Sequence, residues 1–255
     1  AECWGIGIGT SANDDYLPEE LTSGVASIDP AHTYTCALST SGGVSCAHGY
    51  TSGEWSDVEG LTSGVASISA GTSPANSVGY LGCAVTTSGG AKCWGQGTGG
   101  QLGNGTTTNS PTPVDVSGLT SGVASISAGN WSVCAVTTSG GAKWWGQNGF
   151  GELGDGTNTH RLTPVDVSGL TSGVASIDTT DKTTGRHTCA VTTSGGAKCW
   201  GMNDRGQLGN GTTTFNLPNS TPVDVSGLLG GLLSSATVSV TNSSAVPGGL
   251  SVVQS

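Results

Sequence analysis

The stretch Cys189-Ala-Val-Thr-Thr-Ser-Gly-Gly-Ala-Lys-Cys-Trp-Gly201 decides the fold. Two runs with strand character flank Ser194-Gly195-Gly196, and glycine supplies the positive φ that a hairpin turn demands. Cys189 and Cys199 then lie opposite each other, close enough for a disulfide if the register makes them a non-hydrogen-bonded pair. The same block runs from Cys83 to Gly95, and a looser copy places Cys36 ten residues before Cys46.

On the N-terminal side of each block stands Leu-Thr-Ser-Gly-Val-Ala-Ser-Ile, starting at Leu21, Leu61, Leu119 and Leu170, with a decayed copy near Leu228. Its Val-Ala-Ser-Ile portion alternates apolar and small polar residues, as a short half-buried strand does. On the C-terminal side come a Gly-Gln-Leu-Gly-Asn-Gly-Thr loop (Gly100–Thr106, Gly206–Thr212, and Gly151–Thr157 with Glu and Asp substituted) and a closing Thr-Pro-Val-Asp-Val-Ser-Gly at Thr112, Thr163 and Thr221. Pro-Val-Asp-Val reads as a fourth strand, with proline tolerated at the strand start. Four short strands per unit, recurring every 40 to 58 residues, point to β-propeller blades and not to solenoid coils.

Cys-Trp-Gly followed by Gly-Gln-Leu-Gly-Asn-Gly-Thr resembles the RCC1-type repeat in its cysteine-containing bacterial secreted form, over roughly residues 1–227. The resemblance implies an all-β propeller of four-stranded blades. The units fall at 1–20, 21–60, 61–118, 119–169 and 170–227, about five against the family's usual seven, with 228–255 a degenerate C-terminal segment. The unit from Leu21 departs from the pattern: it has Cys46-Ala-His-Gly in place of Cys-Trp-Gly and lacks the Leu-Gly-Asn-Gly loop. Ala1-Glu-Cys3-Trp4-Gly5 matches only the second half of a hairpin block, as a processed or trimmed chain would. At the other end Ala236–Val240 reads as a first strand and Ser244–Val253 as a hairpin. The two ends could close the ring by pairing, or exchange strands with a neighbouring chain to build a filament.

Composition narrows the function. The 255 residues carry 45 Gly, 9% charged residues and a net charge of −10. Glycine without a three-residue period excludes collagen. Seven dispersed Lys and Arg cannot form the basic patch that nucleic-acid binding requires. No apolar run reaches the ~20 residues of a membrane span. The pairs Cys36–Cys46, Cys83–Cys93 and Cys189–Cys199 read as disulfides, which places the chain in an oxidising, extracellular or cell-surface location. Cys3 and Cys134 have no counterpart in the cysteine pattern, because Trp144 occupies the position expected for the mate of Cys134; they read as thiols of a drifted blade, with a disulfide between them or between chains as the alternative.

The recurring tryptophans Trp4, Trp94, Trp145 and Trp200 are expected to pack between blades, whereas Trp55, Trp131 and Trp144 fall outside the repeat and are better candidates for surface contacts. The Asn-Gly and Asp-Gly loops are better explained by turn chemistry than by Ca²⁺, since each offers at most one carboxylate. His32 and His48 lack a third ligand and read as surface residues. No catalytic motif, metal set or cofactor fingerprint occurs, so the chain reads as non-enzymatic and cofactor-free. Repeat proteins place variation on one binding face. The insertions Thr72–Gly82, Asp178–His187 and Thr214–Ser220 therefore locate the partner site, with Trp55, Trp131, Arg161, Lys182, Arg186 and His187 as candidate contacts for a protein or glycan. The resemblance implies binding roles: related propellers serve as nucleotide exchange factors, chromatin binders and protein inhibitors of hydrolases. The charge disfavours chromatin and the disulfides disfavour a cytosolic exchange factor. That leaves a secreted binding or adhesion module as the first expectation, a filament subunit or hydrolase inhibitor as alternatives.

Overall fold

The structure is a computed structural model that describes residues 23–31, 34–48, 55–72, 80–179, 186–227, 239–241 and 251–253. Each repeat folds into one antiparallel four-stranded meander. The first blade holds β1 (Val25–Pro30), β2 (Tyr34–Ser39), β3 (Val44–His48) and β4 (Trp55–Asp57); the second holds β5 (Val65–Thr72), β6 (Tyr80–Thr86), β7 (Ala91–Gly95) and β8 (Ser110–Asp115). The third comprises β9 (Val123–Ala128), β10 (Ser132–Thr137), β11 (Ala142–Gly146) and β12 (Arg161–Asp166), and the fourth β13 (Val174–Thr179), β14 (His187–Thr192), β15 (Ala197–Asn203) and β16 (Thr214–Asp224). Four complete blades are thus described, and the unit expected at 1–20 lies outside the described residues. All the described elements are strands, and no described helix is long and apolar enough to cross a membrane.

The hairpins form as their turn chemistry dictates. Gly89 and Gly140 take φ of 81° and 79° in the second and third blades, a region that disfavours side chains with a Cβ. The register sets Cys36 against Cys46, Cys83 against Cys93 and Cys189 against Cys199. Each pair forms a disulfide with its Cα atoms 4.1 Å apart, the close spacing of a non-hydrogen-bonded pair. In the third blade Cys134 is buried opposite Trp144 instead.

Two sequence expectations shift in detail. Pro113, Pro164 and Pro222 sit inside β8, β12 and β16, not at their starts. Each of these strands pairs on one side only, where a missing N–H is harmless. At the C-terminus the described pairing is β17 (Ser239–Thr241) with β18 (Ser251–Val253), so the later strand reaches back to the one expected at 236–240. The rest of that segment, and any pairing between the chain ends, lies outside the described residues.

Blades stack face to face. First strands neighbour one another, β1 on β5, β5 on β9 and β9 on β13, and side chains tie them: Ala70 N–H donates to Asp29 Oδ2 at 2.9 Å and Ala128 N–H to Ser69 Oγ at 3.0 Å. The core lies in the seams. Between the second and third blades, Leu81, Leu102, Val116 and the Cys83–Cys93 bridge pack on Val123, Ile126, Val133 and Trp145. The seam between the third and fourth repeats the arrangement with Leu153, Val167, Leu170 and Trp200. A protein with only 34% hydrophobic residues can bury them because each seam is thin and filled by one tryptophan and a disulfide or its substitute.

Candidate functional site

A tryptophan on the third strand of the second, third and fourth blades (Trp94, Trp145 and Trp200) joins each of them to the blade before it. Trp145 Nε1 donates to the Gln101 carbonyl and Trp200 Nε1 to the Glu152 carbonyl, both at 2.8 Å and both buried. The acceptor belongs to the Gly-Gln-Leu-Gly loop of the preceding blade, and the glycine after its leucine explains why. A Cβ on Gly103 or Gly154 would lie 2.7 Å from the Nε1 of the incoming tryptophan. The loop therefore conserves geometry for the seam, as its recurrence suggests.

The first blade has no such loop, so Trp94 needs another acceptor. Its Nε1 donates to the Tyr34 hydroxyl at 2.8 Å, and its ring lies over Gly82, where a Cβ would meet it at 2.2 Å. The sibling blades carry Val133 and Thr188 at the Gly82 position. Burial pushes the Tyr34 hydroxyl above its usual pKa, against the opposing bond from Trp94, so it stays protonated. His48 joins this cluster, its ring 4.8 Å from Tyr34 and 4.4 Å from Tyr80. It is half-buried and not an ordinary surface residue, and burial lowers its pKa. His32 lies outside the described residues.

The meander directs the variable segments to one end. In every blade the connections between first and second strands, and between third and fourth, leave from the same end. The opposite end carries the near-verbatim Thr-Ser-Gly-Gly and Leu-Thr-Ser-Gly turns. Trp55 and Arg161 begin β4 and β12 at the variable end, Trp131 lies between β9 and β10, and Arg186 and His187 stand at the start of β14. Lys182 lies outside the described residues, in the stretch between β13 and β14. Of the three insertions, Thr214–Ser220 is incorporated into the long edge strand β16, whereas the middle parts of the other two (73–79 and 180–185) lie outside the described residues.

Arg161 is held in its own blade. Its Nε donates to Asp155 Oδ2 at 2.7 Å, and Thr157 donates to Asp155 Oδ1 through both N–H (2.9 Å) and hydroxyl (2.8 Å). Asp155 also receives the side-chain amide of Asn148 at 3.2 Å. Burial alone would raise the Asp155 pKa, but the Thr157 bonds and the Arg161 guanidinium outweigh it and hold the carboxyl below its usual range. Asn210 makes the same pair of bonds with Thr212, so Asp155→Asn preserves the turn and removes only the ionic partner of Arg161. The variant is expected to lose about 1–2 kcal/mol near neutral pH, the scale of a charged hydrogen bond. A depressed folded pKa means this contribution is present above the unfolded pKa and disappears as pH falls through the folded one. Urea unfolding at pH 7 and in acid should show the gap between wild type and variant closing in acid.

Three of the candidate contacts meet at the seam of the third and fourth blades. Trp131, Arg186 and His187 line a small recess with Trp144, Glu152 and Thr188. Arg186 lies over the Phe150 ring at 4.6 Å and 3.9 Å from Glu152 Oε1. Glu152 Oε2 accepts from Phe150 N–H at 2.6 Å. Trp144 is a correction: it is 1% exposed and packs edge-on against Trp200, so it is a core residue and not a surface contact. It stands on a strand face that the next blade covers, where its siblings carry disulfide cysteines. Sequence reading also missed Phe150 and Glu152, which occupy loop positions held by Gly99 and Gln101 in the preceding blade. Deviation from the repeat at both positions was the available signal.

The sequence model of the regulator of chromosome condensation (RCC1) repeat matches residues 89–136, and a second model of that repeat matches residues 184–207. Among curated proteins, the chain is 35% identical over 121 residues (47% of its length) to the human E3 ubiquitin-protein ligase HERC2. It is 35% identical over 127 residues (49% of its length) to the Ultraviolet-B receptor UVR8 of Arabidopsis thaliana. It spans 2% of the first and 28% of the second. Among solved structures, 79% of the chain superposes on 50% of Prp20p from Saccharomyces cerevisiae (TM-score 0.63, 16% identity) and on 52% of human WBSCR16 (TM-score 0.61, 22% identity). Family matches, strand order and blade stacking agree: this chain carries RCC1-type repeats folded as blades of an RCC1-like β-propeller.

Proposed function

We propose that the chain is an extracellular, non-enzymatic binding or adhesion module that engages a macromolecular partner through the end of the blades where its loops vary. The carrying observation is the segregation of variation. The turns at one end repeat almost verbatim, while Trp55, Trp131, Arg161, Arg186 and His187 all stand at the other. Residues that serve the blade recur in every copy, and those that serve a partner need not. Three disulfides support an oxidising location, where such bonds persist. The fold is consistent with a protein partner: the structure of Prp20p is reported with its binding properties to Gsp1p and histones. A net charge of −10 favours a neutral or basic partner surface over nucleic acid.

The test compares the two ends of the blades. Secreted-protein and glycan panels are probed with the oxidised chain, with a Trp131→Ala/Arg186→Ala double variant, and with a Thr193→Ala/Ser194→Ala variant at the invariant end. Binding that is lost in the first variant and kept in the second supports the assignment. Binding lost only in the second, or turnover of a hydrolase substrate, overturns it.

A further inference from the structure

We propose that Asn210 is a self-modification site: its side-chain amide condenses with the backbone nitrogen of Gly211 to a cyclic imide, which water opens to aspartate or isoaspartate. The inference is independent of what the variable end binds. In the first step the Gly211 nitrogen gives its proton to solvent hydroxide and bonds to Asn210 Cγ. The Cγ–Nδ2 bond then breaks, and the amide nitrogen takes a proton from water and leaves as ammonia. A water molecule adds to either imide carbonyl. Cleavage on the Cγ side leaves aspartate; cleavage on the main-chain side leaves isoaspartate, with the chain routed through the side chain. The balance is one water consumed, one ammonia released and one negative charge gained, with no oxidant. Glycine after asparagine favours the attack because no side chain shields its nitrogen. Three such pairs occur in the chain, Asn104-Gly105, Asn148-Gly149 and Asn210-Gly211, and their surroundings rank them.

Asn104 and Asn210 form a controlled comparison. The nine residues Gly100–Thr108 and Gly206–Thr214 are identical in sequence, and Gly105 and Gly211 take similar φ of 86° and 78°. Each amide oxygen accepts from the threonine two residues on. Thr106 donates to Asn104 Oδ1 through N–H (3.1 Å) and hydroxyl (2.9 Å), and Thr212 to Asn210 Oδ1 through N–H (3.1 Å) and hydroxyl (2.8 Å). Asn203 Nδ2 adds a third donor to Asn210 Oδ1 at 3.4 Å. Negative charge develops on this oxygen when Cγ is attacked, so the donors ease the step. What differs is the neighbouring blade. Gly105 N–H donates to the Leu162 carbonyl at 2.9 Å, as Gly156 N–H does to the Ser220 carbonyl at 2.8 Å, and Trp145 holds the Gln101 carbonyl of the same loop. The attacking nitrogen of the second blade is therefore tied down. Among the described residues Gly211 N–H meets no acceptor, and nothing lies within 4 Å of where a Cβ on Gly211 would stand. Gly209 is exposed, whereas Gly103 and Gly154 are buried. The fourth loop has the same chemistry without the clamp. Asn148 is the opposite case: it is fully buried, and its amide is held by Asp155, Leu153, Thr157 and Thr159.

The oxidised chain is aged in mildly alkaline buffer, and peptide mapping by mass spectrometry reads the amide-to-acid conversion at each asparagine. The flanking Asn109 and Phe215 tell the two otherwise identical loop peptides apart. Asn210 is expected to convert at least about fivefold faster than Asn104, the factor set by first opening one backbone hydrogen bond, with Asn148 slowest. In the reduced chain in urea, where no blade clamps either loop, Asn104 and Asn210 should convert at the same rate. Ion exchange gives a second readout. The more acidic form that accumulates on ageing should be missing in Asn210→Gln, whose longer side chain would have to close a larger ring, and retained in Asn104→Gln. Equal rates at the two loops of the folded chain, conversion confined to the unfolded control, or an acidic form that persists in Asn210→Gln overturns the assignment.

Discussion

Reduction of the three hairpin disulfides is expected to lower the unfolding free energy by about 8 kcal/mol, the largest effect of any single treatment of this protein. Each bridge spans a sequence separation of 10 residues. In the chain-entropy account a loop of that size removes about 2.7 kcal/mol of denatured-state freedom, and three independent loops add. The sum is comparable to the whole stability of an ordinary domain. A small apolar fraction leaves no large core to absorb the loss, so the reduced chain should be unfolded or nearly so at 37 °C. Five of the six bridge cysteines are at most 2% exposed, and Cys189 reaches 8%, so reductant alone acts slowly and mild urea should accelerate it. Urea unfolding followed by tryptophan fluorescence, with and without reductant, measures the difference. A midpoint that reduction leaves in place would show that seam packing, not cross-linking, carries the stability.

The second large effect belongs to the tryptophans that join blades. Trp200→Ala should cost about 3–5 kcal/mol, the range for emptying a large buried aromatic site. The cavity would open between Leu153 and Val167 of the third blade and Ala190 of the fourth, and a seam built from two separate blades collapses only partly. Two milder variants separate packing from hydrogen bonding. Trp200→Phe keeps most of the ring but leaves the Glu152 carbonyl without this donor. Tyr34→Phe keeps the tyrosine ring and removes the acceptor of Trp94. Tyr34→Phe should cost about 1–3 kcal/mol, the penalty of an unmet buried donor, and Trp200→Phe should fall at the low end of that range, because the Thr188 hydroxyl also donates to the Glu152 carbonyl at 3.4 Å. Calorimetric melting of the three variants gives the ranking. If Tyr34→Phe is neutral, the tyrosine does not substitute for the missing loop of the first blade.

Much of this architecture is legible in one dimension because a repeat states its rules several times. The ten-residue cysteine spacing, the Ser-Gly-Gly turn and the recurring Pro-Val-Asp-Val each specify local geometry, and local geometry depends on neighbours in sequence. Blade type, hairpin register and disulfide pairing all followed from that. His48 and Trp144 did not. Both were read as outward-facing, His48 for want of a third metal ligand and Trp144 because it falls outside the repeat, yet both are covered by a neighbouring blade: His48 by Tyr80, Trp144 by Trp200. The face that the next blade hides is a property of stacking, which no single repeat encodes.

The candidate site divides in the same way. That variation would gather at one end is implicit in any antiparallel meander, because alternate connections must leave from alternate ends. Which variable residues meet was decided only in three dimensions. Trp131 and Arg186 are 55 residues apart in sequence and belong to different blades; stacking alone brings them to one recess, together with a Glu152 and Phe150 that the sequence did not single out. The blade is therefore a local object, its strands, turns and bridges all legible among neighbours in the chain, whereas the fit of Gly103 and Gly154 against an incoming tryptophan belongs to the seam. Tertiary structure decided the seams, and with them the substitution of Tyr34 for an absent loop and the burial of Trp144. The physical reason is range: turns and hairpins are settled by bonds between near neighbours, whereas a seam is settled by which two surfaces exclude water from each other.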